Sequence, residues 1–179
     1  MSSARGTLEW TPLADGLDLV APPVAEAARA GHVPGAEVVG IDADLADTAA
    51  FCETYAVSPE ASANCVVVEG RRGERTTLAA VMVLATDRAD VNRTVRKHLG
   101  VRRISFADQT ATESATGMTS GGIPPVGLPA DWPILVDERV AAAEAVVIGG
   151  GVRGAKLLVP GAELAALPGA EVLDLVVPG

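Results

Sequence analysis

Rings are scarce in this chain. Only five aromatic side chains, Trp10, Phe51, Tyr55, Phe106 and Trp132, are spread over 179 residues, so no array of them is expected to form a stacking platform for single-stranded nucleic acid. Histidine is scarcer still. His32 lies in a Gly-flanked loop and His98 in the last turn of a basic segment. With no two histidines on one helix face and the acids scattered, no metal is expected. No Gly-x-Ser-x-Gly elbow suggests a Ser/His/Asp hydrolase either. The two cysteines, Cys52 and Cys65, form no CxxC pair and read as buried free thiols in a reducing compartment. No apolar run approaches the ~18 residues that cross a bilayer, and residues 1–10 lack the basic-then-apolar layout of a secretory signal. The chain is therefore read as soluble and cytoplasmic, without a membrane partner.

Positive charge is also in deficit, with 14 Lys and Arg against 23 Asp and Glu, a net −9. Taken globally, that argues against a polyanionic partner. The distribution along the chain is uneven, however. Residues 71–103 hold nine basic and three acidic side chains, a local surplus of +6, and the remainder carries −15. A hairpin turn and a neighbouring helix bearing Arg71, Arg72, Arg93, Arg96 and Lys97 could present one basic face suited to a phosphate backbone, or simply a solvated helix face.

What the chain does have is 49% apolar and 21% charged residues, enough for one compact domain with a real core. The first 35 residues are rich in Pro and Gly and read as an irregular N-terminal extension packed on the rest, with a helix at about 24–30 behind the Pro22-Pro23 pair. Residues 36–179 form the main unit, with no repeat or internal linker. Strands are expected at 37–41, 64–69, 77–85, 104–106, 134–136, 145–148, 156–159 and 172–177, the second and third joined by a turn at 70–73. Helices are expected from Asp44 or Asp47 to about Tyr55, from Asp87 or Asp90 to the Gly100 stop, from Asp108 to about Thr116, and at 162–167. The order lacks a strict βαβ rhythm, so a mixed α/β (α+β) sheet wrapped by helices fits better than a doubly wound fold.

Two glycine-rich stretches stand out. In Thr116-Gly117-Met118-Thr119-Ser120-Gly121-Gly122-Ile123-Pro124-Pro125-Val126-Gly127, glycines permit close backbone approach and prolines stiffen the loop, so its N–H groups could be fixed donors. A stiff surface connection is the competing explanation. The stretch is neither a Walker loop nor a dinucleotide fingerprint, and no cofactor is expected. The second cluster, Gly149-Gly150-Gly151, precedes Arg153 and Lys156, where amides and a cation could meet an anion. A Gly-rich hairpin would account for it equally.

The element order from Glu37 onward and these two loops resemble the YbaK / prolyl-tRNA synthetase-associated domain family of aminoacyl-tRNA editing deacylases. The residues that carry the likeness are Thr116, Gly117, Gly121, Gly122, Pro125 and Gly127, then Asp137, Gly149 to Gly151 and the closing Glu171 to Leu175. The resemblance implies a barrel-like mixed sheet and a pocket for the aminoacylated 3′ end of tRNA, with a synthetase as a possible further partner. It also implies hydrolysis of the ester between a wrong amino acid and the terminal ribose. Gly121 and Gly122 would contact the ester through the backbone together with Lys156. Asn64, Thr116, Gly117, Ile123, Pro124, Pro125 and Gly149 to Gly151 would form the substrate site, and the five basic residues named above would meet tRNA. The nucleophile would be water or a substrate group. Family members usually place a lysine where this chain has Asn64, which keeps a catalytically silent aminoacyl-tRNA or synthetase binder as an alternative. Lys156 is expected to reach the same pocket from a neighbouring strand and restore the missing cation.

Overall fold

The computed structural model describes residues 4–177, so the outermost ends of the two expected units lie outside the described residues. In chain order the regular elements begin with β1 (Thr11–Pro12), α1 (Pro22–Arg29), β2 (Glu37–Gly40), α2 (Thr48–Tyr55), β3 (Ala63–Arg72) and β4 (Arg75–Leu84). They continue with α3 (Arg96–Leu99), β5 (Arg103–Phe106), α4 (Gln109–Thr116), β6 (Ile134–Asp137) and α5 (Glu138–Ala141). The last four are β7 (Val146–Gly149), β8 (Ala155–Val159), α6 (Gly161–Ala165) and β9 (Ala170–Leu173). The strands form two sheets, ordered β1-β2-β8-β7 and β5-β3-β4-β6-β9. The first is antiparallel throughout, whereas β6 runs parallel to both β4 and β9 in the second. The expected mixed α/β fold is therefore present. Its barrel-like curvature resolves into two sheets, joined by a bridge between Ser62 and Val147, and no closed barrel forms among the described residues.

Alternation along the strands sorts the apolar residues into layers, because successive side chains point to opposite faces. On β8, Leu157 and Val159 enter the core between the two sheets, where they meet Met82 and Val136. Leu158 joins Phe51 and Cys52 of α2 in a separate cluster on the outer face. The far side of the second sheet is closed by Val91 and Val95, which pack on Val68, Val81 and Leu135. These two valines belong to a wide π-helical turn, Val91–Val95, that leads into α3. Gly100 ends α3 in the left-handed region at φ 67°, as its sequence position predicts. The segment preceding β2 contributes a strand and core residues: β1 pairs with β2, and Leu13, Val20 and Val24 are buried in the central core.

β1 and α5 were not expected from the sequence, and two of the boundaries that shifted have a clear physical reason. The β3–β4 hairpin turns around Gly73, whose φ is 62°, and the ladder runs on through Gly70 to Arg72. Gly70 pairs with Thr77 and Ile104 within the sheet, and it is glycine because the Val101 side chain packs 2.7 Å from where a Cβ would stand. At the other end, β9 stops at Leu173 rather than continuing to 177. There Asp174 pairs with Arg139 and Leu175 donates its N–H to the buried Asp137 carboxylate, which draws the chain off the ladder.

Candidate active site

A cavity of about 450 Å³ opens where the two sheets approach one another. The start of α2 supplies Ala46, Asp47 and Thr48, and β3 supplies Asn64 and Cys65. One rim is the loop Ser120 to Ile123, and Gly149 and Lys156 come from β7 and β8. Lys156 lies opposite both Val39 and Gly149 in the ladders, on the face of β8 that Leu158 shares.

The Lys156 side chain is buried, at 7% exposure. Its Nζ donates to the Ala46 carbonyl at 2.9 Å and stands 5.1 Å from the Phe51 ring centroid. Burial holds the ammonium below the usual lysine range; Arg153 pushes the same way, while Cys52 and Asp47 oppose. An ammonium in such a place has a carbonyl, a ring face and the cavity as its surroundings. Its charge is worth more there than at the surface, since the local dielectric is low.

Asn64 sits at the start of β3, where its Oδ1 accepts from the Thr48 hydroxyl at 2.9 Å. This contact pins the carboxamide between α2 and β3 and leaves its NH₂ as the donor end. Asn64 and Lys156 line the same cavity, so the two positions are brought together from different sheets.

The two glycine loops are laced to each other. Gly122 donates to the Thr119 carbonyl at 3.0 Å, Thr119 donates to Gly151 at 2.9 Å, and Gly151 donates to Gly122 at 2.7 Å. A side chain at Gly149 would stand 2.2 Å from the Gly122 carbonyl, and one at Gly122 would stand 2.6 Å from that of Val152. Backbone contact this close admits only glycine. A consequence follows for the donors. The Gly122 N–H is already committed, as is that of Ser120, which donates to Glu113 at 2.8 Å. Gly121 and Ile123 keep N–H groups without a protein acceptor among the described residues. The pair of available donors is thus Gly121 and Ile123, rather than the expected Gly121 and Gly122.

Six of the residues expected at the site fall outside the cavity. Thr116 caps the end of α4, its hydroxyl donating to Thr112 and accepting from Met118, and Gly117 is the left-handed stop of that helix at φ 70°. Pro124 and Pro125 are buried beneath the loop. Gly150 and Gly151 tie it to the Ala21 region, with Gly150 accepting from the Ala21 N–H at 3.1 Å. All six hold the loop in shape.

Among the described residues, no nucleophile is hydrogen-bonded to a base in this cavity. His98 lies 3.1 Å from Glu171, and His32 lines a concavity beside Pro125. Cys65 does line the cavity, but burial pushes its thiol up to about 12, which keeps it protonated and unreactive near neutrality. What the arrangement offers chemically is stabilisation of a developing oxyanion by fixed N–H donors and an ammonium, with hydrolysis left to water or to a substrate hydroxyl.

The model of the family described as the aminoacyl-tRNA editing domain matches residues 42–167, well over half of the chain and the whole of this cavity. The chain belongs to the aminoacyl-tRNA editing domain family. Solved structures agree on the fold. A protein described as a candidate trans-editing enzyme for prolyl-tRNA synthetase superposes with a TM-score of 0.75 at 23% identity, covering 89% of this chain and 99% of that one. A scaffold protein used for computational grafting of epitopes gives 0.75 at 25% identity, covering 88% and 97%. A hypothetical protein gives 0.69 at 24% identity, covering 78% and 90%.

In this editing domain the basic residues divide. Arg71 and Arg96 share a groove with Arg102 and Arg103. Arg72 instead turns to the Gly100 carbonyl at 3.3 Å, and Arg93 and Lys97 stand exposed outside the groove. Sequence reasoning missed five polar residues that line the site, Asp47, Thr48, Gln109, Thr112 and Ser120, and named Arg153 only as a cation near the second glycine cluster. Arg153 lies 3.6 Å from Asp47 and stands where a Gly121 side chain would project. It spans the rim between two cavity-lining residues. Its position inside the Gly149 to Gly154 run was the available signal.

Proposed function

We propose that this chain is a deacylase that hydrolyses the ester of a mischarged tRNA. Family membership supports an editing role. The observation that carries the chemical reading is one cavity that joins two unpaired loop N–H groups to a buried ammonium. The ester carbonyl oxygen is received by the N–H groups of Gly121 and Ile123, with Lys156 supplying positive charge as the tetrahedral oxyanion develops. Water adds to the carbonyl carbon, the bond to the ribose oxygen breaks, and a proton passes to that oxygen, giving a free amino acid and an intact tRNA end. Asn64, anchored by Thr48, orients the substrate through its NH₂. The tRNA acceptor end is the partner, a synthetase is the second that the family implies, and the setting is the cytoplasm.

Asn64 favours one other reading. A neutral amide cannot polarise a carbonyl as a cation does, so a relative that binds aminoacyl-tRNA without turnover fits a chain in which Lys156 does not substitute. The discriminating experiment measures ester half-lives over a panel of mischarged tRNAs with wild-type protein and Asn64→Lys. Wild-type acceleration on at least one tRNA supports the deacylase. An inert wild type with an active Asn64→Lys identifies the silent relative, and buffer rates for both proteins across the panel overturn the hydrolytic reading.

A further inference from the structure

The cavity does not end at its own rim. Asn64 and Val66 line both the cavity and a second concavity of about 640 Å³, whose outer lip carries Phe106. Asn92 and Ser105 in turn line both that concavity and the arginine groove, which measures about 710 Å³. The three depressions form one track along β5, the edge strand of its sheet. Arg103 stands opposite Arg71 in the ladder, and Phe106 stands opposite Val68.

The chemistry changes along this track. In the groove, Arg71 is held by Glu69, and Arg96 uses Nε on the Asn92 carbonyl. The side chains of Arg102 and Arg103 have no partner among the described residues, which on a chain of net −9 is an isolated site for anions. In the middle, Asp87 and Asp90 outnumber Arg88 around the concavity that carries Phe106, which disfavours a phosphate there. A neutral base has no such objection. Phe106 is 69% exposed, the most exposed large apolar side chain described, and its ring is free to take a base on its face. From Arg103 to Phe106 the strand rises about 10 Å, roughly the length of three stacked nucleotides.

We propose that this track seats the unpaired 3′ end of an RNA, with a base stacked on Phe106 and the phosphates preceding it on Arg102, Arg103 and Arg96. The inference rests on the deacylase reading for its direction, since the acylated terminus is what enters the cavity. It assigns Phe106, which was not expected at the site, and singles out Arg102 and Arg103 from the basic surplus of residues 71–103.

The test is binding of an uncharged acceptor-stem hairpin with and without its single-stranded 3′ end, followed by fluorescence anisotropy between about 50 and 200 mM salt. Arg102→Ala/Arg103→Ala is expected to weaken binding at least tenfold at the lower salt and to flatten the dependence of log K on log salt by about 1.4, at ~0.7 per phosphate contact. Phe106→Ala is expected to weaken binding about tenfold with the salt slope unchanged, and only when the single-stranded end is present. Arg29→Ala, at an exposed position of helix α1, serves as the control and should bind as wild type. Because no catalysis is measured, these results would stand even if the wild type cleaved no ester. Unchanged affinity and slope in the double arginine variant, or a Phe106 effect that persists without the 3′ end, would overturn the track.

Discussion

Replacing Lys156 with Met removes the ammonium from the cavity and keeps most of the stem's volume. The wild-type side chain, 7% exposed, carries a desolvation cost of several kcal/mol. Against it stand one charge-assisted bond to Ala46, worth about 1.5–3 kcal/mol, and the Phe51 contact, worth about 0.5–2 kcal/mol. These nearly cancel. The methionine stem keeps the apolar contact, and the Ala46 carbonyl, which lines the cavity, can accept from water instead. Lys156→Met is therefore expected to lie within about 1 kcal/mol of wild type or to be more stable. The adjacent Leu157→Ala, at a position with 0% exposure, should cost about 2–5 kcal/mol. A pH arm sharpens the comparison. The folded-state lysine titrates below its unfolded value, so the penalty is fully present below the folded pKa and is relieved as pH rises from there toward the unfolded pKa of about 10.4. Wild-type stability should gain with pH over that window relative to Lys156→Met. Urea unfolding near pH 7 and again in the alkaline range reads both effects. A loss above about 2 kcal/mol in Lys156→Met, or no difference in pH slope, would show that the ammonium is a structural tie rather than a charge held at stability's expense.

Two other substitutions probe the scaffold. Gly121→Ala places a side chain at φ 88° and 2.3 Å from the Arg153 guanidinium; it should cost about 1–2 kcal/mol and displace Arg153 from Asp47. Ester cleavage should fall at least tenfold while urea unfolding stays cooperative, and unchanged cleavage would remove this loop from the chemistry. Asp137→Ala strips a fully buried carboxylate that accepts from the N–H groups of Arg139 and Leu175 and pairs with the Arg139 guanidinium. A loss of about 3 kcal/mol is expected, with faster amide exchange concentrated in residues 170–177.

The parts of the fold that were legible in the sequence are those set by local rules. Asp108 caps α4 by accepting from Ala111, Gly100 and Gly117 stop their helices in the left-handed region, and the valine-rich run pairs as a hairpin. Gly70 misled because its reason for being glycine is Val101, thirty-one residues away, rather than a turn of its own. The same limit applied at the site. Composition identified the glycine loops as candidates for backbone donors. It could not say that Gly122 spends its N–H on the Thr119 carbonyl whereas Gly121 and Ile123 do not, because composition does not fix where the turn falls within the loop. Nor could a local charge count separate Arg71 and Arg96, which reach the groove, from Arg72, which turns to a carbonyl.

The most direct test of the account is amino acid release from the 3′ end of a mischarged tRNA in single turnover, with wild type and Lys156→Met compared at equal tRNA occupancy. The account predicts cleavage well above the buffer rate for wild type and a loss of about 10²–10³-fold in the variant, as for removal of one preorganised oxyanion stabiliser. Equal rates for the two folded proteins would contradict it.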